Sequence, residues 1–125
     1  MDKLSAYAPL IARIFISAMF LIGGISKLGD VQGFTGYLTS GGLPAMLAWP
    51  SILFELALGA SMLLGFQTRI MALLGAGFCI VAALLYHYNP ADQMQMAMFL
   101  KNFAIAGGFL MLFTHGAGAV AIDKR

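Results

Sequence analysis

Four long apolar stretches, separated by short polar connections, constrain the fold of this chain more than any other feature. They cover about residues 4–28, 44–66, 69–88 and 93–114. A helix rising about 1.5 Å per residue needs roughly 20 residues to cross the 30 Å hydrocarbon core of a bilayer. The sequence therefore predicts an all-α integral membrane protein, a four-helix transmembrane bundle that forms a single domain over residues 1–125.

The composition agrees with lipid as the surrounding solvent. Apolar residues make up 61% of the chain and charged residues only 10%, whereas a soluble domain carries about a quarter charged residues. The net charge of +2, with no basic run, excludes a nucleic-acid partner. Cys79 is the only cysteine, so the chain has no disulfide and no CxxC pair.

The connections between the stretches predict how the helices are joined. Residues 66–69 form a tight turn, so the second and third spans are expected to be an antiparallel hairpin. An Asn-Pro pair ends the third span, and Asp92 with Gln95 three residues later is typical of a capping box that opens the fourth. The longer connection, residues 29–43, is expected to form a short interfacial helix or a re-entrant lid.

The distribution of charge predicts the orientation in the membrane. Four spans place both termini on the same side, together with the turn between the second and third spans. The positive charges on that side belong to Lys3, Arg69, Lys124 and Arg125. The opposite side carries Lys27 beside Asp30 and Asp92. By the positive-inside rule, we expect a multi-pass protein of the cell inner membrane with both termini in the cytoplasm.

Three ionisable residues lie inside the apolar stretches, where each costs roughly 2.5–3.5 kcal/mol to insert and is by default a functional hypothesis. They are Arg13, Glu55 and Lys101. The helix rise places Glu55 roughly 16 Å below the outer face, Lys101 roughly 13 Å below it, and Arg13 roughly 13 Å above the inner face. These depths lie within a side-chain length of each other. We therefore expect a buried Arg13–Glu55–Lys101 cluster, because a lone buried charge is poorly tolerated.

Further polar residues extend this cluster toward the outer face. Asn102 follows Lys101, and His87 and Lys27 lie at the outer ends of the third and first spans. The expected arrangement is a polar column that opens at an outer mouth. Its net positive charge favours an anionic or electron-rich guest.

Each of these residues also has a purely structural interpretation. Arg13 would snorkel to the inner interface, and Lys27 would simply mark a helix end. Glu55 would be a neutral hydrogen-bonded carboxyl group. His87 would be an interfacial residue. Lys101 is hardest to explain in this way, because Asn102 places a second polar group beside it within an apolar helix.

No metal site is predicted. Met94, Met96 and Met98 resemble a soft Cu(I) site, but methionine packing at a helix start explains them better. His87 and His115 lie at opposite ends of antiparallel spans, about a bilayer apart, so they cannot share one haem.

Short motifs spread over nearly the whole chain resemble those of the DoxX family of small four-helix membrane proteins. The resembling pieces are residues 13–15, 21–27 (Leu-Ile-Gly-Gly-Ile-Ser-Lys), 41–44, 54–56, 64–69 and 99–108, with His87 and Asp123. DoxX-like proteins are described as membrane components of oxidoreductase systems, including thiosulfate:quinone oxidoreductase, and as partners of redox-stress proteins. The resemblance thus implies quinone-linked redox activity and a redox-protein partner.

Three functions remain open from the sequence. The first is a membrane subunit that interacts with a quinone or quinol, without a covalent cofactor, where Glu55, His87 and Lys101 are the candidate catalytic residues. The candidate binding residues for the quinone are Arg13, Lys27, Lys101 and Asn102. The second is a scaffold that anchors a soluble redox protein, and the third is a small transporter. A further copy of the chain is another candidate partner.

Overall fold

The computed structural model describes residues 2–123 of the chain, with side chains from residue 4 onward. About 82% of the described residues are helical, counting all helix types, and these residues contain no strand. The helices are α1 (Asp2–Leu28), α2 (Val31–Ser40), α3 (Ala48–Leu64), α4 (Thr68–Ala82) and α5 (Gln93–His115). A 3₁₀ turn at Ala45–Leu47 leads into α3, and a π-helical turn at Ala83–His87 extends α4.

Four of these segments are long and apolar enough to cross a bilayer. They are Leu4–Leu28, Ala45–Leu64, Thr68–His87 and Gln93–His115. Their bounds agree with the predicted stretches to within two residues. The prediction of an all-α bundle with four candidate spans is confirmed.

The first helix packs antiparallel to α3 through small residues. The Ser17 hydroxyl donates to the Gly59 carbonyl oxygen at 2.8 Å, and Gly24 lies against the side chain of Leu56. Small residues let two helices in lipid approach closely, because lipid tails are as apolar as the side chains they would replace. The stripe that α1 turns toward the bundle therefore combines small and polar residues.

The second close pair is α4 with α5, also antiparallel. Gly75 of α4 packs on the ring of Phe109, and the Asn102 amide donates to the Cys79 carbonyl oxygen at 3.2 Å. Buried side chains from both pairs form the core, namely Phe20, Leu58, Met62, Ala72, Ala76, Cys79, Ala106, Phe109 and Leu112. Contacts within each pair are extensive, whereas α1 and α5 touch little.

The predicted tight turn joins α3 to α4. Gly65 adopts a left-handed conformation (φ 69°) that ends α3, and its N–H donates to the Ser61 carbonyl oxygen at 2.8 Å. Gln67 follows with φ 52°. Residues 116–123, which we call the C-terminal strap, lie across this turn, and the Asp123 N–H donates to the Gly65 carbonyl oxygen at 2.8 Å.

The long connection between α1 and α3 contains the expected short helix, α2. The Asp30 carboxylate caps it by accepting from the Gly33 N–H at 2.9 Å. Its far end is held by Tyr86, whose hydroxyl donates to the Leu38 carbonyl oxygen at 2.8 Å and whose ring stacks on Tyr37 at 4.6 Å. The helix thus covers one end of the bundle.

The predicted capping box at the start of α5 is only half formed. Asp92 accepts from the N–H groups of Met94 and Gln95 at 3.0 and 3.4 Å. The Gln95 side chain does not return to Asp92, because its amide oxygen lies 2.9 Å from Nδ1 of His87. The side chain of Gln95 therefore contacts the π-helical turn and does not complete the capping box.

Candidate functional site

A cavity of about 300 Å³ lies between the α1–α3 pair and the α4–α5 pair, beneath α2. Five of the six predicted site residues line it, namely Lys27, Glu55, His87, Lys101 and Asn102. They come from four different helical segments, so only the tertiary fold brings them together. Their functional roles remain predictions.

Glu55 and Lys27 form a partly buried ion pair in this cavity. The Lys27 Nζ lies 2.7 Å from each carboxylate oxygen of Glu55. Glu55 is only 7% exposed, while the Lys27 side chain is 31% exposed and lies over the Phe34 ring at 4.8 Å. A buried carboxylate needs such a partner to remain ionised. Lys27 therefore does more than mark the end of α1.

Arg13 is fully buried but lies elsewhere. Its Nε donates to the Ala117 carbonyl oxygen at 3.0 Å and its Nη1 to that of Met62 at 2.9 Å. Its Nη2 donates to the carbonyl oxygen of Val120. The guanidinium thus ties α1 to the end of α3 and to the C-terminal strap. Carbonyls at a helix C-terminus lack intrahelical donors and carry partial negative charge, which explains this placement.

The predicted Arg13–Glu55–Lys101 cluster is therefore wrong. Arg13 precedes Lys27 by about 14 residues on α1, which separates them by roughly 21 Å along the helix axis. Glu55 lies at the level of Lys27, so it cannot also reach Arg13. The carbonyl groups that replace the carboxylate as partners carry no signal in a sequence, because every residue has one.

The predicted continuous polar column is also wrong in its lower half. An apolar layer lies between the cavity and Arg13, built from Phe20, Leu58, Met62 and Phe109, each at most 3% exposed. The rings of Phe20 and Phe109 approach to 5.6 Å. The polar residues of the cavity are thus closed off from those around Arg13.

Lys101 and Asn102 occupy the α5 side of the cavity. The Asn102 amide is fixed by its bond to Cys79, whereas Lys101 makes no hydrogen bond or ion pair to any side chain or backbone group that the structure describes. The charge of Lys27 is balanced by Glu55. Lys101 therefore gives the cavity a net positive charge and an available donor.

The π-helical turn brings His87 to the cavity. Turns of this kind occur often at functional sites, because the wider turn shifts side chains out of α-helical register. Here Tyr86 and His87 both line the cavity, and His87 is held by Gln95.

Sequence reasoning did not assign the aromatic side chains of the site. Phe34 and Tyr37 of α2 and Tyr86 of the π-helical turn line the cavity. The signal for the two α2 residues was the helical spacing of apolar residues in residues 29–43. Burial, together with the neighbouring Tyr86, raises the pKa of Tyr37 above its ordinary value of 10.0. Its phenol therefore stays protonated as a donor.

The remaining walls are mostly apolar, with Ser51 as a further polar residue. The larger apolar side chains are Met19, Phe20, Phe78, Cys79, Val81 and Leu85. Ligand sites in proteins are mostly apolar with a few converging polar groups, and their volumes run from roughly 300 to 1,000 Å³. This cavity has that character, and its size suits the head group of an amphiphile.

Four bilayer-length helices around a mostly apolar cavity with a few polar groups define a small multi-pass membrane protein. The chain belongs to the DoxX family, whose family model matches residues 8–88. That match includes Arg13, Lys27, Glu55 and His87. The resemblance expected from the motifs is confirmed.

Two curated relatives extend the comparison over the whole chain. The chain is 39% identical to the inner membrane protein YqjF of Escherichia coli (strain K12), over 99% of this chain and 95% of the relative. It is 33% identical to the inner membrane protein YphA of the same organism, over 93% of this chain and 88% of the relative. No solved structure matches the chain. The relatives agree with the expected membrane location.

Proposed function

We propose that the protein is a membrane subunit of a redox system and that its cavity binds the head group of a quinone or quinol. The observation that carries this proposal is the meeting of the uncompensated Lys101, the Asn102 amide and the Lys27–Glu55 pair in one apolar cavity. The family resemblance implies the quinone-linked system. Electrons are exchanged with a separate redox protein.

The polar groups of the cavity match what a quinone ring requires. A quinone accepts hydrogen bonds at its carbonyl oxygens, and its reduced forms carry negative charge on them. Lys101 offers a positively charged donor, and fixed charge in a water-poor site stabilises developing negative charge strongly. The apolar walls, including Phe20 and Phe78, accommodate the ring itself.

Full reduction of a quinone takes up two electrons and two protons. The electrons come from the partner protein, and two residues of the cavity are suited to carrying the protons. Glu55 is the buried carboxylate, and its partner Lys27 lies in the last turn of α1, at the end of the bundle that α2 covers. His87 lies at that same end beside Gln95. Carboxyl and imidazole groups are the usual proton carriers in such steps.

The apolar layer argues against the transporter alternative. A relay across the membrane needs polar groups from one face to the other, and Phe20 and Phe109 separate the cavity from Arg13. The cavity lies entirely on one side of this apolar layer, which suits a binding site better than a path across the membrane. The scaffold alternative makes a different prediction, namely that a soluble partner is retained while no small molecule is bound.

Extraction of the purified protein, followed by quinone titration in lipid nanodiscs, tests the proposal. Lys101→Met should weaken quinone binding about tenfold or more, because a charge-assisted hydrogen bond is worth roughly 1.5–3 kcal/mol. Asn102→Leu and His87→Phe should weaken it less. Lys124→Met removes the same charge near the C-terminus and serves as the matched control.

Two results would contradict the proposal. Binding that is equal in the wild type, Lys101→Met, Asn102→Leu and His87→Phe would remove the basis for this site. A wild-type protein that binds no quinone but retains a soluble redox protein in detergent would favour the scaffold.

A further inference from the structure

The helices α1 and α5 make few contacts with each other, and these include contacts of residues 16–20 of α1 with residues 108–109 of α5. There the side chain of Ile16 packs on Gly108, and the ring of Phe20 meets that of Phe109 at 5.6 Å. Elsewhere each of these helices packs mainly on its own partner, α3 or α4. A gap between α1 and α5 is therefore available above this contact.

Gly23 and Lys101 face this gap from its two sides. Gly23 follows Ile16 by about seven residues on α1, and Lys101 precedes Gly108 by about seven residues on α5. Because the two helices are antiparallel, both residues lie two turns, roughly 10 Å, above the contact between Ile16 and Gly108. Both residues line the cavity. A methyl group placed on Gly23 would meet no atom within 4 Å outside its own helix. The wall of the cavity is thus open at this point.

The gap lies at the depth of lipid rather than water. Gly23 precedes the end of α1 by about five residues, or roughly 7 Å, so it lies within the span Leu4–Leu28. Met19, one turn below, lines the cavity and is 38% exposed. The upper end of the cavity is covered by α2, which is held by the hydrogen bond of Tyr86 to Leu38 and by the stacking of Tyr86 on Tyr37.

We propose that the gap between α1 and α5, flanked by Gly23 and Lys101, is a lateral portal through which a lipid-soluble ligand enters the cavity from the bilayer. The head group passes Lys101 into the cavity, and the tail stays between the two helices in lipid. The nature of the ligand rests on the proposed function, but the route rests on the geometry alone.

The size of residue 23 controls the portal in this proposal. Gly23→Ala and Gly23→Leu place progressively larger side chains in the gap, and the absence of a nearby atom allows the fold to tolerate them. Gly107→Leu is the matched control, because Gly107 also has open space around it, lies on an exposed face of α5 and does not line the cavity. Thermal unfolding of all three variants checks the fold.

Cys79 reports access without any knowledge of the ligand. It is the only cysteine of the chain, is 3% exposed and lines the cavity. A lipid-soluble alkyl methanethiosulfonate should modify Cys79 in the protein in lipid nanodiscs. The rate should fall modestly in Gly23→Ala and severalfold in Gly23→Leu, and should stay unchanged in Gly107→Leu. A charged, water-soluble methanethiosulfonate should react much more slowly than the alkyl reagent in the wild type.

Each other outcome overturns the portal. The portal is ruled out if the alkyl reagent does not modify Cys79 in the wild type. It is also ruled out if Gly23→Leu leaves the modification rate unchanged, or if the charged reagent reacts as fast as the alkyl reagent. Failure of quinone binding alone would overturn the proposed function and leave this result standing. If quinone binds, Gly23→Leu should slow the association of a long-tailed benzoquinone more than that of the same head group without a tail.

Discussion

At the scale of single residues, the buried charges of this protein perform two separate tasks. Arg13 satisfies backbone carbonyl oxygens of α3 and of the C-terminal strap, while Lys27 and Glu55 neutralise each other in the cavity. An unpaired charge in a membrane span is costly, and each group avoids that cost with a different kind of partner. The distinction predicts which substitutions are coupled.

Glu55→Gln and Lys27→Met should lose stability in a strongly non-additive way. Either change alone leaves a buried charge without its partner, whereas the double variant leaves none. We expect a coupling of about 0.5–3 kcal/mol in the free energy of unfolding, measured by denaturant titration in detergent micelles.

The control for this cycle is Glu55→Gln combined with Arg13→Met. Arg13 and Glu55 share no partner, so their losses should add within about 0.5 kcal/mol. Strong coupling between Arg13 and Glu55, with none between Lys27 and Glu55, would contradict the ion pairing described here.

At the scale of elements, the C-terminal strap completes the helix ends that meet the α3–α4 turn. The Asp123 carboxylate accepts from the N–H groups of Gln67 and Thr68 at 2.8 Å each, so it caps α4 from a distant part of the chain. Arg69 caps α5 in a similar way, by donating to the Thr114 carbonyl oxygen at 2.7 Å.

The cap at Asp123 should make the strap sensitive to acid. Burial by itself raises the pKa of Asp123, but the N–H donors of Thr68 and Gln67 and the charge of Arg13 outweigh it and lower the pKa below 3.8. A lowered carboxyl pKa adds stability that is complete above the ordinary value and is lost as the pH falls through the folded-state value. Hydrogen exchange at the Gln67 and Thr68 amides, corrected for its intrinsic pH dependence, measures this effect. The protection of both amides should decrease once the pH falls below the ordinary pKa of an aspartate side chain, 3.8.

Asp123→Asn supplies the comparison for that measurement. The variant should show lower protection at these two amides at neutral pH and no further loss in acid. Equal protection in the variant and the wild type at neutral pH would mean that the carboxylate does not hold the strap.

At the scale of the whole molecule, two helix pairs enclose a cavity toward one end and leave the strap at the other. The strap contacts the α3–α4 turn and lies against Pro9, in the first half of α1. The cavity lies beneath α2, at the opposite end of the bundle. The orientation of the bundle therefore decides which face of the membrane the cavity lies nearer to.

Reporter fusions test the expected orientation. The positive-inside rule predicts that both termini are cytoplasmic, with the α2 connection on the other side. A reporter enzyme that is active only outside the cytoplasm should be inactive when fused after Arg125 and active when inserted between residues 29 and 43. The reverse pattern would place the cavity toward the cytoplasm while leaving the helix packing intact.

The class of fold and the positions of its helices and turns follow from local features of the sequence. Apolar length and turn chemistry are local properties, so the four spans, the turn before Arg69, the helix between residues 29 and 43 and the cap at Asp92 were all predictable. Helix rise also places Glu55 and Lys101 at similar depths, which is why both were expected in one site.

The partner of each buried charge, in contrast, depends on how the helices pack against one another. Depth along a helix says nothing about its rotation or its neighbours. The sequence favoured Arg13 as a partner of Glu55 because their estimated depths were similar, and only the packing of α1 on α3 shows that Glu55 pairs with Lys27. The partners of Arg13 are backbone carbonyl groups, and Asp123 reaches α4 across more than fifty residues of chain. Contacts of this kind depend on how the helices pack in three dimensions, which no local pattern of side chains encodes.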